Sequence, residues 1–532
     1  MPDSTPPSPV ADRQRRAVEL LDRLVAELEP LQREFNIAQW DASVTGSTAD
    51  AERRARLDEH IRTMLSEPGR LRAVRELRRG GSSGDAVVDR QLEVLERLLA
   101  AHQMPPETLK ALVALETALD SAFNNYRAEL DGRRVSDNEL RQVLQKSDDA
   151  GERRRAWEAS KQVGAEVETR LLDLIRLRNR SARELGYRDY YAMMLELDEL
   201  EESQLFDLLD RVERGTRERF DAYRTELDER LSRRFRITPD QVRPWHLADP
   251  FFQEAPSAQV DLDRYFLQHD VVSLADRFFG SVGLPLDGLL ARADLHEKPG
   301  KSQHAFCLSV DRSDDVRVLC NVTPTEFWMS VVLHEFGHAV YDVAVDRALP
   351  WLLRAPAHTL TTEASAMLFG RLSKSAAWLA RYAGVDAGEA DRVGDELRRA
   401  TRDQLLVQAR WCLVMAHMER ELYRDPDQPL NALWWDFVER FQRVRRPEGR
   451  DAPDWASKIH FSVAPVYYHN YLLGEMLASQ LQGAALRELG GWTSFVSRPE
   501  LGSFLVRRLY RSGKLHDWRD TVRHATGEPL AP

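Results

Sequence analysis

Residues 323–345 read TPTEFWMSVVLHEFGHAVYDVAV, with His334-Glu335-Phe336-Gly337-His338 at the centre. Thr323 offers a hydroxyl cap, Pro324 suits the first helical position and Glu326 the third, so the stretch predicts a helix starting there. Phe327, Val331, Phe336, Val340 and Val343 recur at helical intervals, which predicts a buried helix. A helix turns by about 100° per residue, so His334 and His338 stand one above the other and can offer two imidazole nitrogens to one ion. Glu335 stands beside them without being a ligand. Buried imidazoles and a buried carboxylate need partners, and a metal satisfies all three.

In the next helical stretch, Glu363 of Thr361-Thr362-Glu363-Ala364-Ser365 is the candidate third ligand. Two His and a distant Glu around one ion read as a catalytic zinc site: the fourth position holds water, and Glu335 takes its proton. The alternative is a coincidental pattern or a site that has lost its function. Asp342, four beyond His338, is a candidate to orient a ligand imidazole, with a solvated acid as the alternative.

Outward from the motif, composition bounds the rest. A chain of 532 residues, 43% hydrophobic and 30% charged, buries a large core. A net charge of −11 argues against a nucleic-acid surface, which needs uncompensated Lys and Arg. Arginines alternate with acids, as in Arg153-Arg154-Arg155 beside Asp148, Asp149 and Glu152, and read as solvated helix faces. No run of about twenty apolar residues predicts a membrane span, and Met1 to Asp12 carry no apolar export segment, so a cytoplasmic location is expected. Cys307, Cys320 and Cys412 are too few for a disulfide framework. Cys307 and Cys320 are placed to face each other across a hairpin, with packing thiols as the default.

One-sided apolar spacing, as in Val167, Leu171, Leu174 and Ile175 or Leu205, Leu208, Leu209 and Val212, predicts helices from Asp12 to about Arg234. Breaks are brief: Gly80-Gly81-Ser82-Ser83-Gly84 (a turn rather than a phosphate cradle), Met104-Pro105-Pro106, Asp131-Gly132, and the aromatic, proline-spaced segment Pro244 to Pro256. The expected organisation is a disordered tail over 1–12, an N-terminal helical half over 13–300 and a zinc-binding catalytic half over 301–532, all in one folded body. One segment differs: residues 304–310 and 316–322 flank Asp311 to Asp315 and predict a β-hairpin just before the metal helix. Its open edge is suited to holding an extended peptide through main-chain hydrogen bonds; a purely structural hairpin is the alternative.

Downstream, Trp455-Ala456-Ser457-Lys458-Ile459-His460 leads into Pro465-Val466-Tyr467-Tyr468-His469-Asn470-Tyr471-Leu472-Leu473-Gly474-Glu475. Tyr468 and Tyr471, three apart, share a helix side. A phenol and an imidazole can donate to the oxyanion formed during amide hydrolysis. Taken alone, an aromatic-rich helix is more often core.

Together these residues resemble the zinc peptidases of the angiotensin-converting-enzyme (peptidyl-dipeptidase) family and its relatives thimet oligopeptidase and oligoendopeptidase F. The resemblance is specific from His304 to about Gln480 and looser in the first half, through Gln39-Trp40-Asp41-Ala42 and Arg178-Asn179-Arg180-Ser181-Ala182. Glu363 lies 25 residues beyond His338, a separation that suits these families. The resemblance implies one Zn2+ held by His334, His338 and Glu363, with Glu335 as general base and then acid. It implies His304-Ala305 as a substrate-binding edge strand and His460 as a donor near the scissile carbonyl. Tyr471 is the match to the oxyanion tyrosine, because Tyr-Leu-Leu-Gly-Glu parallels the residues after that tyrosine in the oligopeptidases; Tyr467 and Tyr468 are runners-up. Lys458 matches a lysine that binds the free carboxylate of the peptide, a contact Tyr468 would share, while the glutamine that completes this clamp is not placed by the sequence.

The implied fold is mainly α, a two-lobed helical ellipsoid with a deep central channel and one small β-hairpin beside the zinc helix. The implied substrates are short unstructured peptides, cleaved by release of C-terminal dipeptides or at internal bonds. An inert helical metal-binding protein, or a hydrolase of non-peptide amides, are the readings of other classes.

Overall fold

In the computed structural model, which describes residues 8–256, 261–490 and 494–532, the chain is mainly α-helical, with two two-stranded antiparallel hairpins among the described residues. Helix α1 (Pro9–Thr45) opens with Ser8 as N-cap, its hydroxyl accepting from the Ala11 amide, and Pro9 in the first turn. The helix therefore starts inside the expected 1–12 tail; Met1 to Pro7 lie outside the described residues. No described helix is long and apolar enough to cross a membrane.

The chain divides into two compact units. One unit combines Met1–Gln103, Val260–Leu397 and Leu473–Ala531; the other combines Met104–Gln259 and Arg398–Leu472. Each unit is thus assembled from stretches distant in sequence, which helical periodicity alone does not reveal.

In the first unit, strands β3 (Phe306–Ser309) and β4 (Val316–Leu319) form the hairpin expected before the metal helix, shorter than predicted. Cys307 pairs with Val318, so Cys320 is not directly opposite it, and both thiols are free. Asn36 of α1 donates to the carbonyls of Ser309 and Val310, and Trp40 packs edge-on against Phe306 with ring centroids 6.1 Å apart. Helix α3 (Glu326–Ala344) comes next. Its cap is Thr325 rather than Thr323: the Thr325 hydroxyl accepts from the Trp328 amide at 3.3 Å, and the Glu326 amide is taken by Asp263. The buried face of α3 is Met329, Val332, Leu333, Phe336, Val340 and Tyr341, whereas Phe327, expected on the buried stripe, is 63% exposed. Helix α4 (Thr359–Gly370) crosses α3 closely, and the Ser365 hydroxyl donates to the Gly337 carbonyl at 2.8 Å.

The second unit contains strands β1 (Ala128–Leu130) and β2 (Arg133–Val135) around a two-residue turn. Asp131 and Gly132 both have positive φ, 51° and 75°, the backbone that matches strand twist in a tight hairpin. Helix α2 (Gln162–Glu184) buries Val167, Leu171, Leu174 and Ile175, as their spacing predicts. Arg153 departs from the solvated reading of its arginine run. It is buried and donates to the carbonyls of Trp245 and Leu247, while Trp157 donates to that of Pro250. Gln442 donates to Phe251 and Phe252, and Asp249 accepts the amides of Phe251, Gln253 and Glu254. Side chains thus satisfy the main chain of the irregular Pro244–Pro256 segment.

Candidate metal centre

Helix α3 carries His334 and His338 with ring centroids 4.9 Å apart and planes at 85°. Helix α4, capped at its start by the His358 ring nitrogen accepting from the Leu360 amide, brings Glu363 to the same place. Glu363 Oε2 lies 3.9 Å from His334 Nε2, and one donor atom from each of the three residues lies within 4.8 Å of the other two. Two glycines make this approach possible. A Cβ on Gly337 would stand 2.8 Å from the Ala366 Cα, and one on Gly474 would stand 2.8 Å from the Glu363 Cβ. Only hydrogen fits at either position.

The donor set fits a zinc ion. The Thr362 hydroxyl lies 2.7 Å from His338 Nδ1, which fixes the ring and leaves Nε2 for a ligand. Burial pushes the imidazoles down, His334 to about 4 and His338 to about 3, so both are neutral and carry a free lone pair at neutral pH. Burial, then the charge of Glu363, push Glu335 up to about 8, while the Cys307 amide donates to it and opposes that push. Two neighbouring buried carboxylates and two neutral imidazoles form a site that a divalent cation would neutralise. Asp342 is half-buried. Its Oδ2 meets the Cys307 sulfur at 4.0 Å, and burial raises its carboxyl to about 7 against the pull of Arg312.

His304 and Ala305 precede β3 rather than lying in it; His304 is exposed and Ala305 half-buried. The strand amide that reaches the candidate base is that of Cys307.

The remaining candidates gather in the second unit. Lys458 is buried, its Nζ donating to Gln253 Oε1 at 2.8 Å and lying 5.2 Å from the ring centroids of both Phe251 and Trp411. Burial lowers its ammonium to about 8, partly offset by Asp249. Tyr468 accepts from Trp411 Nε1 at 2.5 Å, and its ring lies 5.0 Å from that of His460 and 5.3 Å from that of Tyr471. Tyr467 also packs 5.3 Å from Tyr471. Burial, and Lys458 secondarily, push His460 down to about 4, so its imidazole is neutral at neutral pH. Helix α6 (His469–Glu488) carries Tyr471 one turn before Gly474.

Sequence reasoning missed Gln253, Trp411 and Thr362. Gln253 lies in the aromatic, proline-spaced segment, whose only sequence signal is its composition. Trp411 is one of many core aromatics. Thr362, next to a candidate ligand, fits the role of orienting a ligand imidazole for which the spacing suggests Asp342.

The family model described as angiotensin-converting enzyme, peptidase family M2, matches residues 11–222 and 252–530. No curated protein matches the chain. The family match falls on the first of the groups that the motifs resemble and runs through both sets of candidate residues, so the chain belongs to the angiotensin-converting enzyme family of peptidases.

Proposed function

We propose that this protein is a zinc-dependent peptidase that removes dipeptides from the free C-termini of short, unstructured peptides. The observation that carries hydrolysis is the convergence of His334, His338 and Glu363 beside Glu335. His334, His338 and Glu363 would hold a zinc ion, which would supply a Lewis acid to polarise the scissile carbonyl and acidify water. The charge of that ion would favour the ionised form of Glu335, which takes the proton of the attacking water and hands it to the leaving amine, its carboxylate held in place by the Cys307 amide. The Thr362 hydroxyl keeps His338 in one tautomer. His460 and Tyr471 are assigned as donors to the oxyanion, with Tyr468 and Tyr467 as the alternatives to Tyr471.

The dipeptide reading is supported by Lys458, a cation in aromatic surroundings joined to Gln253, with the Tyr468 ring 5.9 Å from its Nζ. Lysine, an amide and a phenol are groups suited to binding a terminal carboxylate, and we assign Gln253, joined to Lys458, as the amide. The test is mass spectrometry of products from a peptide mixture with free and amidated C-termini. Dipeptides from free ends only are expected. Cleavage indifferent to amidation would replace this reading with an oligoendopeptidase, and zinc binding without any cleavage would leave an inert metal-binding protein.

A further inference from the structure

Two buried ionisable side chains of the second unit hold the loop that carries His460 and Tyr468, and neither belongs to the metal or carboxylate groups described above. Arg178, on α2, is 1% exposed. Its guanidinium donates to the carbonyl of Phe461 at 3.1 Å and that of Ser462 at 2.7 Å. It also donates to the Tyr423 hydroxyl at 3.0 Å and to Glu116 at 2.6 Å. The first two carbonyls belong to the single helical turn His460–Val463, too short to satisfy its own end groups. Helix α5 (Ala387–Arg424) carries Glu419, 3% exposed, whose carboxyl oxygen accepts from the amide of Val466 at 2.7 Å. Val466 has φ of 55°, the left-handed region that a β-branched side chain rarely adopts. A backbone in that conformation persists only where its surroundings impose it, and Tyr467 and Tyr468 come directly after.

We propose that Arg178 and Glu419 are positioning residues of the peptidase reaction: they clamp Phe461–Val466 by its main chain and so set where His460 and Tyr468 stand. The clamp rests on the peptidase reading only for what those two side chains do. Burial raises the Glu419 carboxyl to about 8, with the Val466 amide and Arg178 opposing, so at neutral pH it accepts much as an amide oxygen would.

Turnover, zinc content and the 15N signal of the Trp411 indole are measured together, since Trp411 Nε1 donates to Tyr468 and reports its position. The indole signal is assigned from its loss in Trp411→Phe. Glu419→Met is expected to keep zinc, shift the Trp411 signal and lose about a hundredfold in kcat, the scale of a small misplacement. Glu419→Gln, which keeps an acceptor, is expected to stay close to wild type. Val466→Gly removes the strain and keeps the amide, so Glu419→Met in that background is expected to regain most of the lost turnover and the original indole signal. The proposal is overturned if Glu419→Met leaves both readouts unchanged, if Glu419→Gln is as impaired as Glu419→Met, or if the glycine background gives no recovery or no folded protein. Should the wild type cleave no peptide, the peptidase reading fails, and the indole signals alone still decide the clamp.

Discussion

Replacing Gly337 with alanine tests whether the closeness of α3 and α4 is what makes the metal centre. The added Cβ would lie 2.8 Å from the Ala366 Cα and 3.2 Å from the Ser365 carbonyl oxygen. Carbon atoms in comfortable contact are at least about 3.5 Å apart, so α4 must withdraw by roughly 0.7 Å. Overpacking of this kind costs about 1–3 kcal/mol. The larger effect falls on the ion, because Thr362 and Glu363 ride on α4 and metal–ligand distances tolerate only about 0.2 Å. Zinc affinity is expected to drop by about ten- to a hundredfold, the range seen when the supports of a ligand are disturbed. Competition with a chromophoric chelator measures it, with thermal unfolding of the zinc-free protein read in parallel. Gly215→Ala, where a new Cβ meets nothing within 4 Å, is the control and is expected to leave zinc affinity alone. Wild-type affinity and wild-type stability in Gly337→Ala would refute the argument that hydrogen alone fits there.

Glu335→Gln is expected to retain zinc by elemental analysis while peptide turnover vanishes; residual turnover near the wild-type rate would remove Glu335 from the role of base. Thr362→Val, which keeps the shape and loses the contact to His338, should weaken zinc by about tenfold or more in the same chelator competition. Lys458→Met should raise KM by about ten- to a hundredfold for peptides with a free C-terminus and leave amidated ones unaffected, as steady-state kinetics on matched pairs would show. Burial holds Lys161 at about 7 in the folded protein, below the ordinary lysine range. Between those values the unfolded chain binds more protons, so this group makes stability rise with pH above about 7. Lys161→Met is expected to remove that slope and to stabilise the protein near neutrality, read from denaturant unfolding across pH; an unchanged slope would contradict the assignment.

Much of the metal centre is legible because it depends on local geometry. His334 and His338 are joined by helical spacing, and Glu363 sits on the next helical stretch. The rest depends on contacts that a linear pattern does not encode. Phe327 fits a helical stripe yet faces out, because the stripe through Met329, Val332, Phe336 and Val340 is the one the neighbouring elements cover. Thr323, with Pro324 and Glu326 behind it, has the pattern of a cap, yet the helix begins at Glu326: the Thr325 hydroxyl takes the Trp328 amide and Asp263, far away in sequence, takes the Glu326 amide. Asp131-Gly132 is a strong hairpin turn, but its flanks are three residues each, too short to show alternation. Gln253 meets Lys458 across 205 positions of chain, through a segment held by arginine, tryptophan and glutamine side chains rather than by regular structure.

Cys307 lends its amide to the candidate base, yet burial first and then Asp342 raise its thiol well above the ordinary cysteine range, and burial does the same to Cys320 and Cys412. Sulfur held as thiol is a poor target for alkylating agents and oxidants. Preparations of this protein are therefore expected to store and assay well without dithiothreitol or similar reductants. That is a practical gain, since such dithiols would compete for the ion that the proposed hydrolysis requires.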